Sequence, residues 1–140
     1  MILEIMEPSL SVLKLNANET IPNWALNSTW FSITRTSEEL SIVCPSLDLE
    51  VNLDSNVEHG WKGLKVTGIL DFSLTGILAS LAVPLAEHKI SIFAVSTFNT
   101  DYILVKEELL SQAKAVLEQA GHTFTTSYQP KLRKSIITSL

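Results

Sequence analysis

Residues 89–121 read KISIFAVSTFNTDYILVKEELLSQAKAVLEQAG. The stretch opens with KISIFAVS (89–96), a run with almost no polar face, which predicts a strand at the centre of a sheet. It crosses the polar segment STFNT and enters TDYILVK (100–106), a second strand. KEELLSQAKAVLEQAG (106–121) then sets apolar residues at 109, 110, 113, 116, 117 and 120, the stripe of an amphipathic helix, with Gly121 placed to end it. Strand, hairpin, strand and helix in this order demand one more strand and helix before them to close a layer.

That pair lies upstream. WKGLKVTG (61–68) predicts a strand bounded by Gly68, followed by a loop DFSLTG (71–76). GILASLAVPLAEHK (76–89) is apolar nearly all round and predicts a buried helix, capped by Thr75 or Ser73 and bent at Pro84. HTFTTS (122–127) alternates as a last strand. The order is β-α-β-β-α-β, the ferredoxin-like pattern of two helices on one face of a four-stranded sheet. The first half repeats it in reduced form: SVLKLNA (11–17), one helical turn at IPNWALN (21–27), strands WFSIT (30–34) and ELSIVC (39–44) about a turn TRTSE, then PSLDLEVNLDSNVEHG (45–60) as a short helix or loop. The fold class is α+β, with two side-by-side units at 8–60 and 61–127 and a tail at 128–140.

Composition bounds the partners. Hydrophobic residues make up 46% of the 140, enough for a core, and charged residues only 18%. A low charge content and sheets bare on one face both point to a surface covered by a partner. The net charge of −5 speaks against nucleic acid, and the one basic cluster, Lys131, Arg133 and Lys134, reads as a solvated tail. The single cysteine, Cys44, allows no intrachain disulfide and sits in the apolar run LSIVC as a buried, inert thiol. MILEIMEP lacks the basic region of a signal peptide, and the apolar run Ile77–Ala86 is too short to cross a bilayer. The expectation is a cytoplasmic protein without membrane contact.

Catalysis has little support. His59, His88 and His122 have no metal-site spacing, and neither a phosphate-binding glycine loop nor G-x-S-x-G is present. No enzyme and no cofactor is expected. STFNT has two readings. Asn99 and Asp101 suit a turn, and Ser and Thr satisfy its free backbone groups. Alternatively the hairpin faces the DFSLTG loop, where the N–H groups of a helix start suit a carboxylate and Asp101 suits an ammonium group. Together these would hold a zwitterion such as an amino acid.

WFSITRTSEELSIVCP (30–45) and GILASLAVPLAEHKISIFAVSTFNTDYILVKEE (76–108) carry a resemblance. They are similar to the small tandem ACT-domain proteins of bacteria, to the ACT pairs of animal cytosolic arginine sensors, and more distantly to aspartate kinase regulatory regions. The likeness spans about residues 10–125 and is most specific over 84–105. It implies two ferredoxin-like ACT units, the first with reduced helices, in a regulatory protein that binds an amino acid between ACT units. With one pair per chain, it implies a homodimer with ligand between two copies of 61–127. The implied ligand loop is Asp71, Phe72, Ser73, Leu74, Thr75 and Gly76. The implied hairpin grip is Thr97, Phe98, Thr100 and Asp101, with Asp101 meeting the ligand's cationic end. Leu74 departs from the acid that the sensors' arginine-binding half carries there, which removes a partner for a guanidinium and turns the expectation toward a smaller or more apolar amino acid. The alternative is a ligand-free dimerisation module that docks on a metabolic enzyme or transporter.

Overall fold

The computed structural model describes residues 1–50, 56–67 and 75–125. The expected ligand-loop residues Asp71, Phe72, Ser73 and Leu74, and the tail, lie outside them. The described elements are strands β1 (Ile2–Leu15), β2 (Ser32–Arg35), β3 (Leu40–Pro45), β4 (Val57–Val66), β5 (Phe93–Ser96), β6 (Asp101–Lys106) and β7 (Thr123–Phe124), with helices α1 (Asn23–Leu26), α2 (Ile77–Glu87) and α3 (Leu110–Gln119). Single 3₁₀ turns at Ser46–Asp48 and Glu107–Leu109 complete them.

The strands form one sheet in the order β2-β3-β1-β4-β6-β5, with β7 added in parallel beside the start of β1. β1 is its spine. Its second half pairs with β3, and it pairs with β4 along most of its length. β1 begins at Ile2, nine residues before the strand expected at 11–17, because Pro8 and a register shift between Ile5 and Ser9 break the alternation that marks a strand in sequence. β4 likewise starts at Val57, inside the stretch expected as helix or loop, and runs on through Gly60. There β4 carries one extra residue against β1, since Leu10 faces Trp61 while Val12 faces Glu58. Gly60, at φ +76°, supplies the left-handed conformation that such a bulge uses.

β5 corrects the expectation of a central strand over 89–96: it is a four-residue strand at the sheet edge, paired only with β6. The apolar residues before it serve the end of α2 instead. Lys89 stands in the left-handed region at φ 60°, its N–H donates to the Ala86 carbonyl, and the Ile90 N–H donates to the Leu85 carbonyl. This is a Schellman cap, and Ile90 and Leu85 are buried in one core as that motif favours. α3 ends the same way: Gly121 at φ +101° donates to Glu118, and His122 donates to Leu117, as the sequence led one to expect of Gly121. At the other end of α2, the N-cap is Gly76 and no side chain among the described residues caps it, so Thr75 does not take the expected role, while Ser73 lies outside the described residues.

Three apolar clusters hold the sheet. Leu3, Leu64, Val66, Ile103 and Val105 meet Leu81 and Leu85 of α2 and Ala113, Val116 and Leu117 of α3. Leu13, Leu15, Leu40, Ile42 and Cys44 meet Ala25 of α1. The alternation along β1 and β4 puts both sets on one face. Leu10, Val43, Trp61 and Leu104 form the third cluster on the opposite face, roofed by Met6, Trp30, Phe93 and Tyr102 rather than by a helix. Burying each of these leucines contributes roughly 1.5–3 kcal/mol, so α2 and α3 are fixed chiefly by Leu81, Leu85 and Leu117. Their fixed position sets where the loop into α2 ends.

Candidate functional site

The site grows from the centre of the sheet. β4 and β6 are neighbours, with Leu64 facing Ile103 and Lys65 facing Tyr102. The end of β4 therefore lies beside the start of β6. The chain leaves β4 at Val66 and returns at Thr75, while the β5–β6 hairpin turns over residues 97–100. The structure thus brings the hairpin residues to the strand end from which the expected ligand loop departs.

Each hairpin residue has a distinct place. The Thr97 N–H and hydroxyl both donate to the Thr100 carbonyl, at 2.8 and 3.0 Å, and the Thr100 N–H donates back to the Thr97 hydroxyl at 3.3 Å. Thr100 is buried, and its hydroxyl donates to the Val66 carbonyl at 2.7 Å. Both threonines thus spend their hydroxyl protons on backbone, which supports the turn reading for these two side chains. Phe98 projects from the tip, 78% exposed. Asp101 opens β6 opposite Ser96, half-buried, and its carboxylate has neither hydrogen bond nor ion pair among the described residues. Gly76 starts α2 at φ +74°, with no atom within 4 Å of where a Cβ would stand. Backbone there can approach a ligand closely. Thr75 beside it is exposed.

The Thr100–Val66 bond is a feature that sequence reasoning missed. Its only sequence signal is a threonine at the mouth of a buried strand, which many positions share.

Among the described residues no three His, Cys, Asp or Glu side chains stand close enough to hold a metal ion. His88 is exposed and its ring Nδ1 reaches the Pro84 carbonyl at 2.9 Å, the ordinary surface histidine that was expected. His122 is buried, with Nε2 3.0 Å from the Ser80 carbonyl in the first turn of α2. The fully buried Ser11 hydroxyl sits 2.7 Å from the Ser46 hydroxyl and 2.8 Å from His59 Nδ1, tying β1 to β4 and the turn after β3. Burial, assisted by the Asp48 carboxylate, pushes the Cys44 thiol up to about 11, so it carries no thiolate near neutrality.

The family follows from this frame. The family model for the ACT domain matches residues 56–119, which hold β4, α2, the hairpin and α3. Residues 56–119 carry an ACT domain. A second model, describing an N-terminal domain, matches residues 9–48. Among curated proteins, subunit 1 of the cytosolic arginine sensor for mTORC1 of Mus musculus is 34% identical over 103 residues, covering 64% of this chain and 30% of the sensor. The chain therefore spans about a third of the length of these curated relatives. A crystal structure of a protein from Agrobacterium tumefaciens is 38% identical, covers 91% of this chain and 94% of its own, and superposes with a TM-score of 0.83. Aspartate kinase of Clostridium acetobutylicum, 11% identical, shares the fold at a TM-score of 0.60 over 81% of this chain and 33% of its own. The expected ACT resemblance over 56–119 and the α+β, ferredoxin-like fold of the chain agree with these matches. No helix among the described residues is long and apolar enough to cross a membrane.

Proposed function

We propose that this chain is a non-catalytic, cytoplasmic regulatory module that binds an amino acid between the C-terminal units of two copies. The observation that carries the reading is Asp101, a half-buried carboxylate without a partner among the described residues, at the strand end where the chain departs toward Gly76. A half-buried carboxylate with no partner among the described residues is available to a ligand ammonium group. The carboxylate of the same ligand would take N–H groups at the start of α2. The expected partners there, Asp71, Phe72, Ser73, Leu74, Thr75 and Gly76, remain part of the proposal, as do Thr97 and Phe98 on the hairpin. Thr100 contributes by fixing the turn.

The relatives named as arginine sensors support an amino-acid ligand. Leu74 offers no partner for a guanidinium, which favours a smaller or more apolar amino acid. The arrangement extends to two units, 8–60 and 61–127, in each copy. The match of separate family models to 9–48 and 56–119 supports that division. Equilibrium dialysis of the purified chain against each of the twenty amino acids, beside its mass by light scattering, tests the proposal. It expects a dimer that retains an amino acid, and a variant Asp101→Asn that retains measurably less of it.

A second reading has one observation in its favour. The hydroxyl protons of Thr97 and Thr100 are used by the hairpin itself. On that reading the module dimerises and docks on a metabolic enzyme or transporter without ligand. A dimer that retains no amino acid supports it.

A further inference from the structure

At the opposite end of β4 from the hairpin site, on the sheet face that no helix covers, lies a separate, solvent-open groove of about 400 Å³, with Lys14 and Glu58 exposed at its edge. Its side chains come from four strands and the turn before β3. Lys14 pairs across β1 and β3 with Ser41, and Val12 pairs across β1 and β4 with Glu58. Cross-strand partners share a face, and Glu39, two residues before Ser41, projects with them. Phe93 of β5 completes the wall. The rim is held by the Lys14 N–H, which donates to the Asn56 carbonyl at 2.9 Å.

The chemistry of this lining is mixed in a specific way. Val12 and Phe93 are apolar and half-buried. Around them stand one ammonium, two carboxylates and a hydroxyl. Glu58 is engaged by Lys106, 3.4 Å away. Among the described residues, neither the Lys14 ammonium nor the Glu39 carboxylate makes an ion pair or side-chain hydrogen bond. An unpaired cation and an unpaired anion thus share one groove with an apolar wall, yet do not neutralise each other. The volume falls within the range of small-molecule sites, which combine apolar walls with a few converging polar groups.

We infer that this groove binds a small zwitterion bearing an apolar side group. Lys14 takes its carboxylate, Glu39 its ammonium, and Phe93 and Val12 pack against the side group. Ser41 offers a further hydrogen bond. This site is independent of the hairpin site, since no residue is common to both.

Backbone amide NMR of the full chain, titrated with each of the twenty amino acids at millimolar concentration, tests it. The expected result is a saturable shift of the Val12, Lys14, Ser41 and Glu58 amides with at least one apolar amino acid. Lys14→Met and Glu39→Gln each weaken that binding by about tenfold, as loss of a charge-assisted contact should. Asp101→Asn leaves it unchanged. Both substitutions sit at the groove rim, and a retained spectrum shows that the fold survives them. Absence of shifts at these amides for every amino acid overturns the inference. So do shifts confined to 75–76 and 97–101, or shifts that both variants leave intact.

Discussion

The Thr100 hydroxyl, buried at 4% exposure, donates to the Val66 carbonyl at 2.7 Å and so ties the hairpin to the last residue of β4. The hairpin that presents Asp101 and the strand that launches the loop toward Gly76 are anchored at one point. Thr100→Val keeps the shape and removes the donor, leaving a buried carbonyl unpaired. A loss of about 1–3 kcal/mol is expected in urea unfolding, with Thr100→Ser close to the parent.

The two Schellman caps make opposite predictions for two substitutions. Lys89 holds a left-handed conformation that costs a side-chain-bearing residue roughly 1–2 kcal/mol. Lys89→Gly should therefore raise stability by up to about 1 kcal/mol. Gly121→Ala should lower it by a similar amount, because Gly121 has open space but a positive φ. Thermal unfolding of both variants reads the pair of signs.

Cys44 gives a pH dependence with a defined sign. Its folded pKa lies near 11, raised first by burial and then by Asp48, against an ordinary value of 9.0. The folded state keeps its proton where the unfolded chain loses it. The contribution to stability is complete below pH 9 and declines as pH rises from about 9 to about 11. Cys44→Ala should flatten that decline in denaturation curves taken across the window. A thiol reagent near neutral pH should label Cys44 only after unfolding.

Gly63 lies beneath Met6. A Cβ there would stand 2.5 Å from the Met6 Sδ and 3.4 Å from the Leu10 Cδ1. Gly63→Ala is expected to cost less than about 1 kcal/mol, because the half-buried and flexible Met6 side chain can give way. Met6→Ala in the same chain should recover much of it, and a double-mutant cycle measures that coupling.

How far the sequence led depended on which signal was local. α3 was legible because its apolar residues recur at helical spacing: Ala113, Val116 and Leu117 are buried, and Gly121 caps it. β6 was legible because YILV is buried along its length apart from a half-buried tyrosine. β5 misled, since Ile90 and Ile92 are apolar for the sake of the α2 core and not of a central strand. An edge position is set by which strands pair, and no run of residues states that. The first half of β1 was missed because Pro8 and the shifted register hide its period. At the site, the end of β4 lies beside the start of β6, while the expected facing of the hairpin and the DFSLTG loop involves Asp71–Leu74, which lie outside the described residues. That Thr97 and Thr100 serve the turn itself was one of two readings, and the sequence could not choose between them, because a threonine that donates to backbone looks in sequence like one that awaits a ligand.

The most direct test of the amino-acid reading is the melting temperature of the chain with each of the twenty amino acids, beside Asp101→Asn. Ligand at about a hundredfold excess over its dissociation constant adds about 2.7 kcal/mol to the folded state, a rise of several degrees. Both chains carry Lys14→Met and Glu39→Gln, so that the sheet-face site does not contribute, and the expected result is a rise with one amino acid or a few related ones, abolished by Asp101→Asn. A melting temperature that no amino acid moves, or a rise in this background that survives Asp101→Asn undiminished, contradicts it.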